Sequence, residues 1–373
     1  MKVSVIVPTF NEGRNPLLVA DTLLRVLDPM EFEVVFVDDS NDPSSINELE
    51  KLSETRPWVR FEHRVGERGL GTAVVRGFEL AQGDLIAVMD ADMQHPPEVL
   101  RAMVREGIAG ADIVIPSRFV PGGGDGGLSP FRKLVSWVAR MIGRAALQRV
   151  RTVSDPTSGF FLVRRTVVEG APLRPIGWKI LMEVLVRGRY ESIREIPYQF
   201  QPRIAGSSNM SIKEQWNYLR HIARLVATSP QDRRKYVFAA VGVSGVFVNM
   251  LVYYTLVRLG LDLWAAAMLS GAVAMFTNFL LNDNITWSDA RHAPAFSRLL
   301  RYVATAMAGI GINIAVLSLI AHRLGVHYLI ANLAGIAAAM VWNFYMNNLW
   351  TWRSRRKAMV IPAVSPSAES IES

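Results

Sequence analysis

The 373-residue chain has no cysteine. That excludes a disulfide scaffold, a thiolate metal site and a cysteine nucleophile. Residues 237–352 hold only 8 charged side chains in 116 positions, whereas residues 1–236 hold 60. One half reads as a soluble domain and the other as membrane. Two common phosphate cradles are also missing. There is no Gly-x-x-x-x-Gly-Lys loop, and no Gly-x-Gly-x-x-Gly follows the first apolar run. No nucleic-acid partner is expected: the net charge of +8 comes without an RNA-binding signature, and much of it flanks apolar stretches. What is present is a hydrophobic share of 50%, too high for a disordered chain, and a length suggesting two or three domains.

Four apolar stretches, about 237–257, 263–281, 302–322 and 328–349, have the roughly 20-residue length of a bilayer-spanning helix. Helices of a soluble bundle would keep a charged stripe, and these have almost none. A repeat at an offset of 65 or 66 residues links them. Lys235-Tyr236-Val237 returns as Arg301-Tyr302-Val303, Asn278-Phe279 as Asn343-Phe344, and Thr286-Trp287 as Thr351-Trp352. Each unit is a helical hairpin, and the two stand in tandem. Ten Lys and Arg, from Arg233 to Lys357, flank one side against Arg258 and Arg323 on the other. The positive-inside rule then places the soluble domain and the C-terminus in the cytoplasm. No secretory signal is expected, since Met1 runs straight into a strand. Asn249, Asn278, Asn282, Asp283, Asn313, Asn343 and Asn347 read either as interhelical hydrogen-bonding groups or as a lipid or sugar path.

In the soluble half, short Val- and Ile-rich runs at Lys2–Pro8, Phe32–Val37, Leu85–Met89 and Asp112–Pro116 read as strands. Helix-length segments such as Pro16–Leu27 and Leu70–Ala81 separate the first three. This alternation predicts a Rossmann-like α/β fold with a mostly parallel sheet. Ligands bind such folds at the carboxyl ends of the strands. The polar residues fall there: Thr9 to Glu12, Asp38 and Asp39, Asp90 to Gln94, and Ser117-Arg118. A single carboxylate at a strand end is ordinarily a loop residue or helix cap. Three converging on one edge ask for more. Asp90-x-Asp92-x-Gln94 offers oxygen ligands at alternate positions, which suits a hard ion such as Mg²⁺ or Mn²⁺.

The ordered series Val5-Ile6-Val7-Pro8-Thr9-Phe10-Asn11-Glu12, Val37-Asp38-Asp39 and Met89-Asp90-Ala91-Asp92-Met93-Gln94-His95-Pro96-Pro97-Glu98 resembles the family-two glycosyltransferases of GT-A fold. Within them it is most similar to the dolichol-phosphate mannose synthase family. Ser117-Arg118, Arg132-Lys133-Leu134, Asp155-Pro156-Thr157-Ser158-Gly159-Phe160, Gly177-Trp178-Lys179 and Arg203 extend the match, and the apolar half resembles the GtrA-like four-helix module. The chain departs from the family at Gly206-Ser207-Ser208-Asn209, where Gly-Glu-Ser-Lys is usual. The resemblance implies inverting transfer of mannose from GDP-mannose to dolichyl phosphate. It implies a metal on Asp92 and Gln94 with Asp90 close by, and a donor nucleotide site at Pro8, Phe10, Glu12, Val37, Asp39, Asp90, Ala91, Asp92, Lys179 and Arg203. Arg118, Arg132 and Ser136 would take the acceptor phosphate, and Asp90, Asp92, Arg118 and Arg132 would be catalytic. Each basic residue taken singly also reads as an ordinary surface charge.

The glycine-rich run Gly122–Gly127 reads as a mobile acceptor loop. Basic amphipathic stretches at Phe131–Val150 and Ser211–Thr228 suit the headgroup region of a membrane. The expected organisation is a GT-A domain over 1–210, an amphipathic interface helix or linker over 211–232, a transmembrane domain of four helices over 233–355, and a disordered tail over 356–373. A polyprenyl-phosphate glucosyltransferase using UDP-glucose is the nearest alternative, and a lipid-linked sugar flippase is one of another class. A processive polysaccharide synthase is disfavoured, because Gln215-Trp216-Asn217-Tyr218 stands where Gln-x-x-Arg-Trp would be sought.

Overall fold

A computed structural model describes residues 1–66, 68–124, 126–127, 130–200, 212–353 and 364–366. Packing divides the described residues between Ser229 and Pro230 into two compact units, with Val364–Pro366 joining the first.

The first unit alternates strand and helix: β1 (Val3–Thr9), α1 (Asn15–Leu27), β2 (Phe32–Asp38), α2 (Pro43–Thr55), β3 (Val59–His63), α3 (Leu70–Leu80), β4 (Leu85–Val88), α4 (Val99–Ile108), β5 (Ile113–Ser117). It continues with α5 (Pro130–Ala146), β6 (Phe161–Arg164), α6 (Arg165–Val168), α7 (Ile180–Arg187), β7 (Ile193–Pro197) and α8 (Ile212–Thr228). The sheet order is β3-β2-β1-β4-β6-β5-β7, closed at the edge by β8 (Val364–Pro366). β6 runs antiparallel to β4 and β5, and every other pairing is parallel. The expected mostly parallel α/β sheet is the observed one.

All seven residues of β1 are buried, because a parallel sheet is covered on both faces. Its side chains alternate between two cores. Val5 and Val7 join Leu23, Phe36 and Met103, whereas Ile6 joins Ile86, Phe161, Leu181 and Leu225. Gly77 lets α3 lie directly on this second face, since a Cβ there would collide with the Ile6 side chain. Chain order reverses at β1, between β2 and β4, so the crevice beyond the carboxyl ends of these strands is the natural ligand position.

The stretch expected to be an amphipathic interface helix or linker contains α8, one face of which packs into the soluble core. Tyr218, Ile222 and Leu225 are buried at helical spacing. His221 Nε2 lies 2.6 Å from Glu183 Oε2 on α7. The tail expected to be disordered contributes β8, paired in parallel with Ile193–Glu195; the rest of 356–373 lies outside the described residues.

Among the described residues the second unit has four α-helices, α9 (Pro230–Arg258), α10 (Leu263–Leu281), α11 (Ala295–Ser318) and α12 (Tyr328–Met346). π-helical turns extend the last three over Asn282–Thr286, Leu319–Arg323 and Asn347–Thr351. Each helix is long and apolar enough to cross a bilayer. α9 packs on α10, and α11 on α12. The repeat is visible in the side chains. Thr286 donates to Asn282 and Thr351 to Asn347, both at 2.7 Å. The Trp287 and Trp352 rings stack 4.5 Å apart. Asn278 lies against Gly245, and Asn343 Oδ1 stands 2.6 Å from where a Cβ on Gly309 would be. These asparagines therefore sit at helix contacts that only a small residue permits. Arg298 grips Asp283 through Nε at 2.7 Å and Nη2 at 2.8 Å, and Trp352 Nε1 donates to the same carboxylate at 2.7 Å.

Candidate functional site

Each loop at the crevice is shaped by a specific tether. After β1 the chain turns through Asn11 at φ 54°, a left-handed conformation that asparagine tolerates. Asn11 Oδ1 accepts from the backbone N–H groups of Asn41 and Asp42 at 3.1 and 3.2 Å, which ties the β1 and β2 loops together. Asp38 is fully buried and accepts from Thr9 Oγ1 at 2.8 Å and Ser40 Oγ at 2.6 Å, with His63 Nδ1 2.9 Å away.

Asp39, expected in the donor nucleotide site, is held in a clamp. Arg64 donates to it from Nε at 2.8 Å and Nη2 at 2.6 Å, and the Gly69 N–H donates at 2.9 Å. A guanidinium fork fits a carboxylate bidentately. Arg64 carried no sequence signal as a site residue. Pro8 and Val37 are buried strand residues, and Val37 packs with Ala73 of α3. Phe10 is exposed, with the Arg68 guanidinium 5.5 Å from its ring centroid, and Glu12 accepts from Asn15 at 2.9 Å.

β4 ends just before Asp90. Met93 takes φ 58°, so the chain doubles back and the Gln94 N–H donates to Asp92 Oδ1 at 3.1 Å. Asp90, Asp92 and Gln94 are half-buried and Ala91 is buried. Gly159 leaves room for the first carboxylate, as a Cβ there would stand 3.1 Å from Asp90 Oδ2. Among the described residues no group of three or more His, Asp or Glu closes a metal cage. This donor set fits a hard ion that takes one or two carboxylates and completes its shell with water and ligand phosphates.

The basic side of the crevice comes from farther along the chain. Arg118, just past β5, is held by the fully buried Asp155 through Nε at 2.7 Å and Nη2 at 3.0 Å. Lys179 Nζ donates to the Thr157 carbonyl at 3.0 Å. Desolvation, reinforced by Arg118, pushes the Lys179 ammonium down to about 8, with Asp155 and Asp90 acting the other way. Lys179, Arg118, Asp155 and Asp90 are thus in one electrostatic neighbourhood. Arg140 on α5 lies 3.5 Å above the Phe119 ring, and desolvation lowers its pKa. Arg132 and Ser136 are half-buried near the start of α5, at a spacing that places them on one helix face. Arg203 lies outside the described residues, as does the departing run 206–209.

The described part of the glycine-rich run is tethered rather than loose. Gly124 N donates to the Tyr198 carbonyl and the Phe200 N–H to the Gly124 carbonyl, both at 3.0 Å. A Cβ on Gly123 would stand 2.5 Å from the Ser117 carbonyl oxygen. These glycines serve close backbone approach as much as mobility. Asp155 was legible only as part of a motif without a role, and His95 and Arg140 were not singled out. Their partners lie far away in sequence.

Comparison with known proteins agrees with this layout. The profile of Glycosyl transferase family 2 matches residues 4–170. That of the GtrA/DPMS transmembrane domain matches residues 237–352. The chain is a glycosyltransferase and an integral membrane protein. It is 41% identical over 352 residues to a dolichol-phosphate mannosyltransferase of Pyrococcus furiosus, covering 94% of this chain and 99% of that protein. A dolichol-phosphate mannosyltransferase of Saccharomyces cerevisiae is 33% identical over 237 residues, 60% of this chain and 87% of that one. The chain belongs to the dolichol-phosphate mannosyltransferase family. A solved glucosyl-3-phosphoglycerate synthase from Mycobacterium tuberculosis is also similar, at 18% identity and a TM-score of 0.46 over 61% of this chain and 79% of that one.

Proposed function

We propose that the protein transfers mannose from GDP-mannose to dolichyl phosphate at the cytoplasmic membrane face, releasing GDP with inversion at the anomeric carbon. The observation that carries this is the pairing, at one sheet edge, of the Asp90–Asp92 carboxylates with the basic group of Arg118 and Lys179. The first suits a metal-bound diphosphate and the second a phosphate. The names of its dolichol-phosphate mannosyltransferase relatives support the choice of sugar and lipid.

In this reading Asp90, Asp92 and Gln94 hold Mg²⁺ or Mn²⁺. When bound, the ion neutralises charge on the departing diphosphate. Glu12, Phe10 and the backbone at Pro8, Val37 and Ala91 bound the nucleotide, and the Arg64 clamp on Asp39 keeps that wall rigid. Arg118, Arg132 and Ser136 hold the lipid phosphate. A phosphate monoester has its second pKa near 6, so its oxygen attacks the anomeric carbon without a general base. The bond to the GDP β-phosphate oxygen breaks as the new bond forms on the opposite face. Orientation and charge neutralisation then supply the rate.

The exposed apolar side chains Leu134, Trp137 and Val138 of α5, with Trp216 and Leu219 of α8, support placement of both helices in the headgroup region. The ten-to-two bias of flanking basic residues supports the cytoplasmic orientation. In detergent with dolichyl phosphate and Mg²⁺ or Mn²⁺, label should enter the organic phase from GDP-mannose and not from UDP-glucose, and Asp92→Ala should abolish it. Transfer from UDP-glucose would overturn the choice of donor. No transfer from either would return weight to a lipid-linked sugar flippase.

A further inference from the structure

His95 is buried, yet its contacts are polar at both nitrogens. Nε2 lies 3.4 Å from Asp90 Oδ2 and Nδ1 lies 3.5 Å from the Tyr198 hydroxyl. Three rings fix the imidazole plane: Phe160, Phe200 and Tyr198, with centroids 5.1, 5.6 and 5.9 Å away. A neutral imidazole has one N–H and one acceptor. Only one tautomer serves both neighbours, with the Tyr198 O–H donating to Nδ1 and the Nε2–H donating to Asp90. The opposite tautomer would set two acceptors facing each other at Asp90. Burial holds Tyr198 well above the usual phenol range, so its hydroxyl keeps the proton this chain needs. Both separations are long for hydrogen bonds, so the contacts guide Asp90 by the direction of the N–H dipole rather than by strength.

We propose that His95 is the positioning residue for the Asp90 carboxylate. It aims that group through the Tyr198–His95–Asp90 chain, while the ring cluster keeps the imidazole from turning. The proposal rests on the reading of Asp90 as part of the metal and diphosphate site. Partners behind a ligating carboxylate typically carry 10- to 100-fold of metal affinity or activity. Phe200 adds a second link, since its ring also lies 5.5 Å from the Arg118 guanidinium. The same cluster therefore braces both sides of the crevice.

The test is Mn²⁺ binding to the full-length protein with GDP present, followed by electron paramagnetic resonance, alongside transfer kinetics. His95→Phe keeps a ring and deletes the donor. It should weaken Mn²⁺ about tenfold and lower kcat, with the KM for lipid phosphate unchanged. His95→Gln retains an N–H donor and should recover most of the affinity. Tyr198→Phe removes the hydroxyl that sets the tautomer, together with its contact to Ser158, and should weaken Mn²⁺ less than His95→Phe does; it also serves if His95→Phe does not fold. Unchanged Mn²⁺ affinity in His95→Phe or in Tyr198→Phe would overturn the proposal, as would a Gln variant no better than Phe. Asp90→Asn separates the two levels of inference. If it loses Mn²⁺ while His95→Phe does not, only the positioning role fails. If it binds Mn²⁺ normally, the metal reading fails with it.

Discussion

Lys179 connects ligand binding to protons in a way that can be measured. Its ammonium is held down to about 8 from an ordinary 10.5, first by desolvation and then by Arg118. At pH 8 about half of the protein therefore has Lys179 neutral. A diphosphate or phosphate beside it favours the charged form. Restoring the ordinary value would draw in about 0.5 proton per ligand at pH 8, and only about 0.1 at pH 7. Calorimetric titration of GDP with Mg²⁺ in buffers of different ionisation enthalpy reads this number as a slope. The slope should rise from pH 7 to pH 8, where the GDP phosphate is fully ionised, and the pH 8 value should fall to near zero in Lys179→Met. A slope that stays flat, or a pH 8 value that survives in Lys179→Met, would refute the placement of this lysine against the ligand. Stability carries the opposite sign. Below pH 8 both folded and unfolded chains hold the proton, and the fold bears the whole cost of the buried charge. Between about 8 and 10.5 the unfolded chain holds more protons, so stability rises with pH. Lys179→Met should accordingly stabilise the ligand-free protein most below pH 8, by no more than about 3 kcal/mol.

Three further outcomes follow from single contacts. Asp155→Asn leaves the Arg118 guanidinium without its buried counter-charge and should lower unfolding stability by about 3–5 kcal/mol, read by denaturant titration; a change under about 1 kcal/mol would mean that the site relaxes around it. Gly159→Ala puts a methyl 3.1 Å from Asp90 Oδ2 and should slow transfer about tenfold with little change in thermal midpoint, whereas wild-type turnover would show that the carboxylate tolerates displacement. Glu183 lies below its ordinary 4.5 despite desolvation, through His221, the Arg174 N–H and Arg187. Its stabilisation is present above that pH and is lost as pH falls through the folded value, so Glu183→Gln should flatten the acid limb of the stability curve.

The four spans and their tandem repeat were readable because hydropathy and repeated short motifs are local properties. So were β1, β2, β4 and β5, where apolar runs end at polar loops. β3 was harder, since only Val59 of its five residues is buried, and β6 is four residues long and antiparallel. Neither gives a clear period. α8 read as an amphipathic interface helix or linker, and its pattern alone does not reveal which surface each apolar side chain meets; Tyr218, Ile222 and Leu225 meet the soluble core, while Trp216 and Leu219 remain exposed.

The sequence by itself determined the two-part architecture, the carboxylates at strand ends and the family, since each rests on residues within a few positions of one another. Only the tertiary structure decided what those residues touch. Asp39 is gripped by Arg64, 25 positions on. Arg118 is gripped by Asp155, 37 on. His95 meets Tyr198 across 103. Such pairs form when the sheet brings strand ends together, and no periodicity along the chain encodes which distant partner arrives. The structure thereby showed Asp39 gripped by a distant arginine, and placed a histidine beside the acidic motif where it can aim it.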